Sequence, residues 1–279
     1  MNFIDKLTAA MDRHHSLLCV GLDPPQDLVD RLGFADYAQF NADIVDATAD
    51  FACAYKPQFA HYAAVGRERD LEATLRHLRV RHAGLPVILD AKRGDIGNTA
   101  TQYAREAFER YGADAVTVNP YMGLDTLEPF VRFADRGVVV LVKTSNPGSG
   151  DFQDRELKTG EPLYMAVARA VSGLGRNVAF VVGATYPQQL GDLRAQFPQT
   201  LFLVPGIGAQ AGDLRQVLAA GLDRHGRGLV INASRGILLA DRGDSGRPAY
   251  LAAVRSAARA LRDEINQLRE ELNTLQSAS

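Results

Sequence analysis

Pro86-Val87-Ile88-Leu89-Asp90-Ala91-Lys92-Arg93-Gly94-Asp95-Ile96 is an apolar run that carries an acid, a base and a second acid to the point where it ends. Such a run, closed by charged residues and a glycine, reads as a buried strand running into a loop. In an extended chain alternate residues share a face, so Asp90 and Lys92 are expected to point the same way. Asp95 lies past Gly94 and off that face. A carboxylate beside an ammonium favours the charged form of both. Taken alone, Asp-x-Lys here also reads as a salt bridge closing a βα loop, and its surroundings must decide.

Runs of the same kind recur at residues 17–22, 51–55, 115–118, 137–142, 178–182, 201–204 and 228–231. Together with residues 87–90 they end at Asp23, Lys56, Asp90, Asn119, Lys143, Gly183, Pro205 and Asn232, roughly 22 to 40 residues apart, the length of a strand, a loop and a helix. Near-continuous apolar strands imply burial on both faces, as in a parallel sheet. Helical patterns fall between them at 37–49, 71–81, 99–111, 163–174, 214–220 and 250–275. Eight such units predict an α/β fold, a (β/α)8 TIM barrel over residues 1–279 whose chemistry sits at the C-terminal ends of the strands. A doubly wound open sheet is the alternative, but no glycine fingerprint opens its first helix.

In the last helix Leu251, Val254, Leu261, Ile265, Leu268, Leu272 and Leu275 form an apolar stripe, which fits a barrel helix with an overhanging end or a coiled-coil partner site. The longest step contains Thr144-Ser145-Asn146-Pro147-Gly148-Ser149-Gly150-Asp151-Phe152. Its glycine, serine and proline make it a surface loop, and its place on the functional rim makes it a candidate lid. Composition alone fits a loop without function equally well.

The chain has 279 residues, 46% of them hydrophobic, and a formal charge of −2. That supports a sizeable core in one large α/β domain. It gives no basis for a nucleic-acid surface or an anionic membrane partner, so any phosphate must be held by a local site. Cys19 and Cys53 sit in apolar runs without metal-ligand spacing and read as buried thiols of a reducing compartment. Residues 1–6 have no signal-peptide layout and no run reaches membrane-spanning length, so the expected location is cytoplasmic.

The strand ends gather Asp23, Lys56, Asp90, Lys92, Ser145, Pro205, Gln210 and Arg235. Each pair alone reads as structural, but converging on one barrel mouth they form a candidate site. His14, His15, His61, His77, His82 and His225 are scattered and read as surface or satisfied core residues, so neither a nucleophilic triad nor a metal site is expected. Val204-Pro205-Gly206-Ile207-Gly208-Ala209-Gln210 offers backbone N–H groups to an anion, and Ile231-Asn232-Ala233-Ser234-Arg235-Gly236 sets an arginine beside it. Loops after the seventh and eighth barrel strands commonly bind phosphate, and arginine suits its geometry.

These residues carry a resemblance. Asp90-x-Lys92-x-x-Asp95-Ile96-x-x-Thr99, with Asp23 and Lys56 at the first two strand ends, resembles the orotidine 5'-phosphate decarboxylase family. Thr144-Ser145-Asn146-Pro147-Gly148, Val182-Gly183-Ala184-Thr185-Tyr186-Pro187, residues 205–210 and Asn232-Ala233-Ser234-Arg235-Gly236-Ile237 are similar to its longer bacterial branch. Asp-x-Lys-x-x-Asp alone is shared with related sugar-phosphate enzymes; the other segments make the resemblance specific. Ser234 stands where shorter members have glycine, and the loop after Pro147 is longer than theirs.

The resemblance implies loss of CO2 from orotidine 5'-phosphate to give uridine 5'-phosphate, with no metal or organic cofactor. It implies that Lys92 stabilises the developing carbanion and protonates it, with Asp90, Asp95 of the partner subunit and Lys56 completing an alternating array. Asp23 and Lys56 would hold ribose hydroxyls, with Asp95, Ile96 and Thr99 contributed from a second copy. Ser145 would read the pyrimidine edge, Pro205 would line the site, and Gln210, Ser234 and Arg235 would grip phosphate. A homodimer with shared sites follows. Two rivals stand beside this reading. One is a metal-dependent sugar-phosphate decarboxylase or aldolase, which would use Asp90 as a magnesium ligand and want an acid where Lys56 stands. The other is a barrel that binds nucleotides without turning them over.

Overall fold

Eight parallel strands form the frame: β1 (Leu18–Leu22), β2 (Ala54–Pro57), β3 (Ile88–Arg93), β4 (Ala115–Val118), β5 (Gly137–Lys143), β6 (Val178–Val182), β7 (Phe202–Pro205) and β8 (Leu229–Ala233). The computed structural model describes residues 1–207, 213–241, 243 and 246–277, with the side chains of 275–277 left out. Hydrogen-bonded neighbours run in the order β2-β1-β8-β7-β6-β5-β4-β3. Parallel bridges Tyr55 to Val87 and Gln58 to Asp90 join β2 to β3. The ring is therefore the expected (β/α)8 barrel, and its apolar strands are buried on both faces.

Most runs become strands where the apolar pattern places them. The second does not. β2 begins at Ala54, and residues 51–53 form a buried turn. Phe51 stays covered because the guanidinium groups of Arg255 and Arg262 lie over its ring, and its carbonyl accepts a 2.6 Å hydrogen bond from Ser16. The hydrophobic signal thus begins before the strand. β3 departs the other way and runs on to Arg93 through the charged residues.

The helices Tyr37–Thr48, Glu68–Arg81, Leu163–Ser172 and Leu214–Gly221 match the sequence pattern within a few residues. The pattern read at 99–111 splits into Gly97–Arg105 and a π-helical turn, Glu106–Arg110. Two helices of ten residues or more fall outside it, beside four shorter ones. Phe3–His14 starts where the Asn2 side chain accepts the Asp5 N–H, and it buries Phe3, Leu7, Ala10 and Met11. Pro187–Gln196 buries only Leu190, Leu193 and Arg194, too few apolar positions for a clear stripe. The last helix spans Arg247–Ser277 and buries Tyr250, Val254, Ala258 and Ile265. Among the described residues no helix is long and apolar enough to cross a membrane.

Candidate active site

The centre of the site is a break in strand geometry. Lys92 has φ of 47°, one of two positive values among the described non-glycine residues, and the β3–β4 register shifts between Leu89 and Arg93. Simple alternation along an extended strand therefore does not bring Asp90 and Lys92 together; a bulge does. A left-handed lysine is strained by about 1–2 kcal/mol, and one side chain holds it there. Thr117 Oγ1 on β4 accepts the N–H groups of Ala91 at 3.0 Å and Lys92 at 2.9 Å, then donates its own hydrogen to Asp90 Oδ1 at 2.8 Å. Strain fixed by neighbours is characteristic of functional sites.

Asp90 is the hub. Its Oδ1 also accepts from Lys92 Nζ at 2.7 Å, and its Oδ2 accepts from Lys56 Nζ at 2.9 Å. Lys56 and Asp90 are only 4% and 7% exposed, so their charges survive because they are paired. Burial pushes the Asp90 carboxyl up, but Lys56 and Lys92 outweigh it and hold it well below the usual carboxylate range. Burial likewise works to lower Lys56, and the charges of Asp90 and Asp23 reverse the sign and raise it. Asp23, at the end of β1, accepts the Gln58 N–H at 3.1 Å.

A cavity of about 360 Å³ opens beside this array, within the range of small-ligand sites. Lys56, Asp90, Lys92 and Thr117 line one side, and Ser145 and Pro205 lie among those opposite. Ser145 comes close because residue 183 is glycine: a Cβ there would lie 2.7 Å from the Ser145 nitrogen. Thr185 then donates to the Ser145 carbonyl at 3.2 Å.

Behind Ser145 lies a group that the sequence reading treated only as a strand end. Lys143 is fully buried. Its Nζ donates to both oxygens of Asp154 at 2.8 Å and to Ser149 Oγ at 3.0 Å, and lies 4.2 Å from the centre of the Tyr186 ring. Gln153 fastens the same loop to Thr144 with two hydrogen bonds. The candidate lid is thus anchored at its base, and Pro147–Asp151 forms a 3-10 turn. Asp154→Ala would strand a buried ammonium, whereas Lys143→Met would leave only a partly exposed carboxylate. Limited proteolysis is therefore expected to cut residues 144–160 faster in Asp154→Ala than in Lys143→Met; equal rates would contradict the latch.

The remaining predicted residues that are described do not line the cavity. Asp95 turns its Oδ1 to the Ile96 N–H at 2.8 Å, and Ile96 and Thr99 are exposed. Ser234 packs on β1, where a Cβ on Gly21 would lie 2.6 Å from its own, so a glycine on one strand accommodates the serine on the next. Arg235, just past β8, is exposed and makes no side-chain hydrogen bond or ion pair among the described residues. Gln210 lies outside the described residues. Thr117 was hidden from sequence reading inside Ala115–Val118, where a β-branched residue is ordinary strand composition. Its only signal was being the one polar residue of that strand.

A (β/α)8 barrel with a partly buried base–acid–base array and a small cavity at the carboxyl ends of its strands defines an enzyme acting on a small molecule. The chain belongs to the orotidine 5'-phosphate decarboxylase / HUMPS family, whose description matches residues 16–245. An orotidine 5'-phosphate decarboxylase of Dechloromonas aromatica (strain RCB) is 49% identical over 275 residues, and one of Bordetella petrii is 50% identical over 276. Each comparison covers 96% of this chain and 100% of the relative. The solved structure of Leishmania donovani OMP decarboxylase is 41% identical, with a TM-score of 0.82 over 96% of this chain and 99% of that one.

Proposed function

We propose that this chain is a carboxy-lyase that converts orotidine 5'-phosphate to uridine 5'-phosphate and CO2 in de novo pyrimidine synthesis, using no metal or organic cofactor. The observation that carries the mechanism is Asp90 clamped between Lys56 and Lys92 at the wall of the cavity. The bond from the pyrimidine ring to its carboxyl group breaks, the electron pair stays on the ring carbon, and CO2 departs. Lys92 Nζ, half-exposed and lining the cavity, stabilises that pair and then donates a proton to it. The neutral amine recovers its proton from water. Asp90, fixed by Thr117 and Lys56, keeps the ammonium aimed without reorganisation during the reaction. Purified protein treated with chelator should bleach the ultraviolet absorbance of orotidine 5'-phosphate; no change in absorbance would refute the proposal.

The metal-dependent rival fits this donor set poorly. Both Asp90 oxygens already accept hydrogens from lysine or threonine, and a lysine occupies the end of β2. The silent barrel is distinguished by the same absorbance assay.

Phosphate binding is assigned to Arg235 with the backbone near Ser234 and, from the sequence, Gln210. The exposed guanidinium of Arg235, without a hydrogen bond or ion pair among the described residues, supports this. Each charged hydrogen bond lost costs about 1.5–3 kcal/mol. Arg235→Ala is therefore expected to weaken uridine 5'-phosphate binding by about ten- to a hundredfold and to leave uridine binding unchanged; equal losses for both would contradict the assignment.

The active form is proposed to be a homodimer of one-domain barrels with shared sites, working in the cytoplasm, where the buried free thiols Cys19 and Cys53 would stay reduced. In one copy Asp95, Ile96 and Thr99 do not line the cavity, and Gly94 packs on Asn119, at the start of a loop that exposes Tyr121 and Met122. A second copy covering this rim would bring Asp95 and Thr99 to the first copy's Lys92. Mixing inactive Lys92→Ala with Asp95→Ala subunits should then restore activity, because one site of each hybrid dimer carries neither change. Failure of hybrids to gain activity would rule out sharing.

A further inference from the structure

The histidines scattered in sequence are not all scattered in space. His77 Nε2 and His82 Nε2 both meet the same oxygen of Asp46, at 2.8 and 2.7 Å, with ring centres 5.8 Å apart. The spacing hides this, since residues five apart do not share a helical face. His82 lies just past the helix Glu68–Arg81 at φ of −134°, so its ring is not bound by helical geometry. We propose that Asp46, His77 and His82 form a binding site for one divalent cation of the zinc class.

Three features carry this. One ligand atom from each residue lies within 4.8 Å of the others, and two imidazole nitrogens with a carboxylate oxygen are a donor set that zinc accepts, with water in the fourth position. A tetrahedral ion bound at about 2.0–2.2 Å needs its ligands roughly 3.3 Å apart. Asp46 would retreat about half an ångström from each ring, and the imidazole hydrogens would shift to Nδ1. All three residues are partly exposed, so the ion enters without unfolding.

The place is favourable as well. Asp46 lies in the last turn of Tyr37–Thr48 and the histidines flank the last turn of Glu68–Arg81, so two negative helix termini face the ion. These helices lead into β2 and β3, which puts their C-terminal ends at the barrel face opposite the charged array. A cation there would staple two neighbouring helices and leave the chemistry untouched.

The full chain, stripped with chelator and dialysed, is titrated with zinc chloride alone by calorimetry. One ion per chain with micromolar affinity, a higher melting temperature in zinc, and a visible tetrahedral spectrum with cobalt(II) are expected. Asp46→Asn and His77→Ala should each weaken binding by about tenfold or more while their metal-free melting temperatures stay near that of the parent. No stoichiometric binding at millimolar zinc, or binding that both variants retain in full, would overturn the site. None of these readouts uses decarboxylation, so they stand or fall apart from the proposed function.

Discussion

Replacing Lys92 by alanine is expected to lower the decarboxylation rate by about 10⁴-fold or more while leaving uridine 5'-phosphate bound within a few-fold of the parent. A positioned general acid contributes about 10²–10⁴-fold, and preorganised charge at a developing anion about 10²–10³-fold. Lys92 does both, and a 10⁴-fold loss corresponds to about 5.5 kcal/mol of barrier. The product carries no carbanion, so its affinity does not report that loss. The fold should tolerate the change: Asp90 keeps Lys56 and Thr117 as partners, and the Lys92 side chain is half-exposed. Single-turnover absorbance, product titration and a melting curve separate the three quantities. A variant that retains parental turnover would end the assignment of Lys92 as proton donor.

Much of this frame was legible because a parallel barrel repeats one simple signal. Apolar runs ending at Asp23, Asn119, Gly183 and Pro205 become strands at those places because burial on both faces demands uninterrupted apolar residues. The Asp90–Lys92 pair was also legible, although for an incomplete reason. Alternation predicts a shared face, whereas the contact depends on a left-handed residue and on Thr117 from the next strand. Nothing local to 90–96 announces that partner, which lies 25 residues from Lys92. Lys143 was invisible as a latch for the same reason: a lysine after an apolar run resembles any strand end until Asp154 folds back over it. Asp46, His77 and His82 come together only because the helices carrying them pack side by side, a tertiary fact that spacing along the chain does not encode.

Asp90→Asn should be the most damaging change of similar shape, and its signature should be a stability profile that turns over with pH. In the parent, Asp90 has a folded pKa below its unfolded value of about 3.9. Its contribution is therefore present above about pH 4 and is lost as pH falls through the depressed folded value. Lys56 has a folded pKa above its unfolded value of about 10.4, so its contribution is present below that pH and is lost only as pH rises through the raised folded value. Between these limits the parent should be nearly flat. Asparagine removes the carboxylate charge and leaves the Lys56 ammonium buried against Asp23 alone. Burial is the largest influence on Lys56 and exceeds that of Asp23, so the folded pKa of Lys56 should now drop below the unfolded one. The unfolded chain then binds more protons, and stability should rise with pH from neutral toward 10. At pH 7 the loss should be about 3–5 kcal/mol, the usual result of leaving one buried charge unpaired. Denaturant melts from pH 6 to 10 measure this directly. A flat profile for the variant, parallel to that of the parent, would show that Asp90 is not what keeps Lys56 charged, and the electrostatic account of how Lys92 is held would fail with it.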